Sequence, residues 1–118
     1  MKVLIITLVL LTVPLLAHTP KSVDLEYDSE TGILNVAITH SVNNASKHYV
    51  YKVIVELNGK KIIEQTFKRQ VDDEVQEVMY KIIDAKENDK IKVTAYCNIS
   101  GKKKGELTIM APAKGDGA

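Results

Sequence analysis

The stretch HYVYKVIVELNGKKIIEQTF, residues 48–67, decides the fold. Two β-rich runs meet at Asn58-Gly59, and a two-residue type I′ turn needs positive φ at both central positions, which Asn and Gly tolerate. His48 to Leu57 and Lys60 to Phe67 are therefore predicted to form a hairpin. Alternation along the first run puts Tyr49, Tyr51, Val53, Val55 and Leu57 on the core face, with His48, Val50, Lys52, Ile54 and Glu56 opposite. On that parity His48 is a strand-start residue facing solvent, or it reaches a site at the end of the sheet through a twist or bulge.

The same period-2 pattern extends in both directions. Upstream, Val23, Leu25 and Tyr27 alternate with acids, Asp28 to Gly32 supplies a turn, and Leu34, Val36, Ile38 and His40 share one face of a second strand. Downstream, Gln70 to Glu74 reads as an acidic loop and Val78, Tyr80 and Ile82 as a strand, followed by a turn at Glu87-Asn88-Asp89. Lys90 to Cys97 alternates with Ile91, Val93, Ala95 and Cys97 inward, and Glu106 to Met110 closes the set. Lys102-Lys103-Lys104 is expected at a solvated hairpin tip that could also steer an anion. Seven short strands with no helical period outside the N-terminal leader predict an all-β protein, an immunoglobulin-like antiparallel sandwich.

The leader is a separate matter. Met1-Lys2, the apolar run Val3 to Leu16 and the small residue Ala17 have the form of a secretory signal, so residues 1–17 are expected to be removed on export. Retained, the run would be a membrane anchor, although it is short of the roughly 20 residues of a span. Residues 18–110 then form one domain and 111–118 a disordered tail rich in Pro, Gly and Ala. The chain has 16 Lys and Arg against 15 Asp and Glu, and loss of Lys2 balances the two. A neutral domain lacks the footprint of a nucleic-acid binder. Nothing suggests a paired-carboxylate site, a phosphate-binding glycine loop or a Ser/His/Asp constellation. The localisation expected is periplasmic, extracellular or cell-surface.

Chemistry concentrates on Cys97, the single cysteine, at the inner end of its strand before a Gly-containing turn. Alone it cannot form an internal disulfide, which leaves an inert core thiol, a metal ligand, a reactive thiol or an intermolecular disulfide. The histidines are His18, His40 and His48. Thiolate and imidazole suit ferrous iron, copper and zinc alike.

Ile38-Thr39-His40-Ser41, His48-Tyr49-Val50 and Tyr96-Cys97-Asn98-Ile99-Ser100-Gly101 together resemble the iron-binding domain of desulfoferrodoxins and superoxide reductases, over roughly residues 22 to 110. The resemblance implies a sandwich carrying ferrous iron on imidazoles and one thiolate, with superoxide and an electron donor as partners. It gives His40, His48 and Cys97 as ligands. His18-Thr19-Pro20 is similar to the family's first His segment, without its acid and lysine. The family's last histidine is Ser100 here and its proline is Ser41, so the resemblance implies an incomplete or altered iron site with weak or absent superoxide reductase activity. Two other readings stand beside it. One is a non-enzymatic binding or structural module without metal; the other is a copper-binding domain in which His18, as the mature N-terminus, adds its amine and imidazole.

Overall fold

The computed structural model describes residues 19–111 and has no helix among them. Seven strands run in order: β1 (Ser22–Asp28), β2 (Ile33–Thr39), β3 (Val50–Leu57), β4 (Lys60–Thr66), β5 (Val75–Lys81), β6 (Lys90–Cys97) and β7 (Lys102–Thr108). They form two antiparallel sheets, β1-β2-β5 and β4-β3-β6-β7. This is the seven-strand β-sandwich that the alternation predicts. The leader, His18 and residues 112–118 lie outside the described residues.

Local chemistry explains the connections. Asn58 and Gly59 take φ of 51° and 82°, the left-handed pair a type I′ turn requires, and tie β3 to β4. Asp28 Oδ1 accepts the Glu30 N–H at 2.8 Å, and Gly32 at φ 74° completes the β1–β2 turn. Between the sheets, Leu34 and Ile38 of β2 face Val53 and Val55 of β3 and Ile91 and Val93 of β6, all fully buried. Each such side chain contributes on the order of 1.5–3 kcal/mol of burial free energy.

Two expectations are corrected. β3 begins at Val50, and its register against β6 shifts between Val50 and Lys52. The extra residue resets the parity, so Val50 is fully buried while Tyr49 and Tyr51 are only half-buried. Lys102 to Lys104 are not a hairpin tip but the first residues of β7, paired with Thr94 to Tyr96. The tip is instead Asn98 to Gly101, closed by Cys97 N–H on the Gly101 carbonyl at 3.0 Å, with Gly101 at φ 87°. β7 is an edge strand, where lysines are favoured because they deter pairing with another chain. Close approach of the two sheets depends on Gly105 of β7, where a Cβ would lie 2.3 Å from the Val23 carbonyl oxygen of β1.

Candidate metal centre

Three elements converge at one end of the sandwich. His40 follows the last residue of β2, and its N–H donates to the Glu74 carbonyl at 2.9 Å. Cys97 ends β6 with its side chain inward, 4% exposed. His48 precedes β3, at the end of the 41–48 loop, where the Asn44 carbonyl accepts the N–H groups of Lys47 and His48 at 3.0 and 2.9 Å. The bulge at the start of β3 is what lets this residue belong to the site: past it the strand alternates in register with the core, and ahead of it the chain turns His48 toward Cys97.

Asn98 fixes that approach. Its Oδ1 accepts the Tyr49 N–H at 2.9 Å and its Nδ2 donates to the Lys47 carbonyl at 2.9 Å, while its own N–H donates to the Tyr49 carbonyl at 3.0 Å. One side chain therefore holds both neighbours of His48 against the residue after Cys97. The outcome is a distance of 3.1 Å between His48 Nε2 and Cys97 Sγ. The Ile99 N–H also points at the sulfur, at 3.4 Å. The rings of His40 and His48 meet edge to face at 4.8 Å between centroids.

Gln70 is the residue that sequence reading missed. It sits in what looks like a polar loop, yet it is 1% exposed and all of its hydrogen-bonding capacity is used inside the protein. Nε2 donates to the carbonyls of His40 and Asp72, both at 3.1 Å. Oε1 accepts the Val50 N–H at 3.0 Å and bonds His40 Nδ1. Because the Val50 amide can only donate and the two carbonyls can only accept, the orientation of this amide is determined, and His40 Nδ1 must carry a hydrogen. Neutral His40 then bears its lone pair on Nε2. A ring N–H bound to a carbonyl oxygen is the usual support for a ligating histidine.

The ligand atoms offered by His40, His48 and Cys97 all lie within 4.8 Å of one another, so this group could hold a metal ion. Bonds of about 2.0–2.3 Å at trigonal or tetrahedral angles place ligand atoms about 3.3–3.8 Å apart, so closing the set on one ion takes side-chain shifts on the order of 1 Å. Two imidazoles, one cysteine sulfur and a satisfied supporting amide fit a borderline or soft transition metal and do not suit calcium or magnesium. The structure thus brings together three of the four expected ligands; the fourth, His18, is outside the described residues. Thr19, next in the chain, packs on the cysteine turn, since a Cβ at Gly101 would meet its Oγ1 at 2.2 Å.

Compared with protein-family models the chain matches none, and no curated protein matches it significantly.

Proposed function

We propose that this is an exported single-domain metalloprotein that holds one redox-active transition-metal ion at the end of a β-sandwich. The observation that carries the reading is the mutual proximity of His40, His48 and Cys97, with His40 presented through Gln70. Ferrous iron is the first candidate, because the residues that converge are those through which the sequence resembles the superoxide reductase iron domain. Bound iron would supply a one-electron reductant with sulfur as an electron-rich ligand. The chain's own contribution is to keep sulfur and the His40 ring out of water, with His48 half-buried.

Ser100 occupies the place of an imidazole in that resemblance, and a neutral hydroxyl is a weak ligand. We therefore propose weak or absent superoxide reductase activity, with a donor set limited to His40, His48, Cys97 and His18. Copper is the second reading, favoured by one observation: two histidines and one cysteine are the trigonal set of copper electron-transfer centres.

Metal content of protein purified anaerobically from its own host tests the reading, together with the absorption spectrum after oxidation. Iron or copper near one equivalent is expected, with a sulfur-to-metal charge-transfer band that Cys97→Ala abolishes. Ser100→His should raise ferrous affinity and leave the band in place; His18→Ala should lower affinity. A chain without metal, whose metal content and ferrous affinity respond to neither Cys97→Ala nor Ser100→His, would be a sandwich module without a centre.

A further inference from the structure

Outside the metal centre, the most distinctive surface is the outer face of β3, β6 and β7 at the end nearest Cys97. Cross-strand register places Lys52 opposite Tyr96, and Tyr96 opposite Lys102; one step along, Thr94 lies opposite Lys104. The Lys52 and Lys102 side chains lean over tyrosine rings. Lys52 Nζ is 4.4 Å from the centre of the Tyr96 ring and 5.6 Å from that of Tyr51, and Lys102 Nζ is 5.7 Å from Tyr96. The two tyrosine rings meet edge to face at 6.4 Å. Thr94 beneath them is only 9% exposed although it points outward. A groove of about 570 Å3 runs along this face, bordered by Tyr96, Lys102, Lys103 and Lys104 at one end and by the Lys92–Glu56 ion pair at the other.

The groove is mainly basic. Among the described residues lining it Glu56 is the one acid, paired with Lys92 at 3.1 Å, and Glu106 stands opposite Lys92 further along the same face. On the other sheet, Asp24, Glu26 and Glu77 share the outward face with Asn35 and Ala37, so a formally near-neutral molecule carries opposite poles. Lysines held over aromatic rings have already lost part of their rotamer freedom, which lowers the cost of immobilising them in a complex. Tyrosine flanked by cations is also the residue type that anchors interfaces.

We infer that this tyrosine-lysine face docks an acidic segment of a partner protein, with carboxylates meeting Lys52, Lys102 and Lys104 and an apolar or aromatic side chain resting on Tyr96. Tyr96 is bonded to Cys97, so the docked partner lies beside the candidate metal centre. The inference rests on the surface alone and holds whether or not metal is bound.

The test uses the metal-free full chain and a synthetic peptide of Glu and Asp with one central Phe. Amide chemical-shift changes should centre on Lys52, Tyr96, Lys102 and Lys104, with affinity falling as salt rises. The double change Lys52→Glu with Lys104→Glu should weaken binding at least about tenfold, and the corresponding pair to Gln serves if that variant does not fold. Tyr96→Thr keeps the charge and the strand propensity yet should weaken binding several-fold, whereas Lys60→Glu with Lys61→Glu, at the far hairpin, should change little. Shifts spread over the whole surface, indifference to Tyr96→Thr, or equal affinity for duplex DNA or a sulfated polysaccharide would overturn the inference. So would sedimentation showing that the face is occupied by the acidic pole of a second copy.

Discussion

Gln70 shows how much of the candidate centre depends on a single side chain that is not itself a ligand. Replacing it with Leu strands three buried partners at once, His40 Nδ1, the Val50 N–H and the His40 carbonyl, and also frees the more exposed Asp72 carbonyl. Each unsatisfied buried group costs about 1–3 kcal/mol, partly relieved by relaxation, so Gln70→Leu should destabilise the metal-free chain by at least about 2 kcal/mol in urea unfolding. Metal affinity should fall separately, by about 10–100-fold, as expected for loss of a ligand's supporting hydrogen bond. A variant with unchanged affinity would remove Gln70 from the site. Two glycines give a matched comparison at the same scale. Gly59 and Gly101 share a left-handed φ, but a Cβ at Gly59 meets nothing within 4 Å while one at Gly101 collides with Thr19. Gly59→Ala should therefore cost only the conformational term, about 1–2 kcal/mol, and Gly101→Ala more, with shifted resonances around Thr19 and Cys97.

At the scale of elements, the irregular start of β3 determines what the regular part of that strand can do. An unbroken alternation would bury Tyr51 and expose Val50; the register shift reverses both and allows His48 to turn toward Cys97. Nothing in the string His48-Tyr49-Val50-Tyr51 signals this, because a bulge is decided by where the partner strand β6 runs. The Lys102 to Lys104 run misled for a similar reason. An edge strand needs no apolar residue on every second position, so its polarity imitates that of a loop. Contact between β1 and β7, which belong to different sheets, is limited by Gly105, where a Cβ would strike backbone rather than a yielding side chain. Gly105→Ala should lower the unfolding midpoint by more than Gly59→Ala does, and hydrogen exchange should quicken along β1 and β7 before it quickens along β3.

The whole molecule responds to pH through groups that brace its two ends. Hydrogen bonds from the Asn58 side chain and the Lys86 N–H hold the Asp89 carboxyl below its ordinary value of 3.8. A depressed folded value means that this stabilisation is complete above about pH 3.8 and is lost as pH falls through the lower folded value. Urea midpoints should accordingly decline under strong acid, and Asp89→Asn should flatten that part of the curve. Tyr80 of β5 donates to Gln65 Oε1 of β4 at 2.8 Å, linking the two sheets, and burial pushes its phenol up from 10.0 to about 12. With the unfolded phenol ionising first, stability falls as pH rises from about 10 through about 12. Tyr80→Phe should lessen that alkaline decline, leaving the share of Tyr27, whose phenol burial also pushes up, as urea midpoints measured against pH would show.

The sequence by itself determined the sandwich, since period-2 alternation and turn residues such as Asn58-Gly59 are local properties that need no partner to be read. It also singled out His40, His48 and Cys97, because few other residues in the chain have that chemistry. Only the tertiary structure decided that the three meet. Residues 40, 48 and 97 are brought together by the packing of β2 against β3 and β6, by a bulge set between strands and by the amides of Asn98 and Gln70. Those are long-range choices, made when buried polar groups find the partners that burial requires, and no window of neighbouring residues contains them.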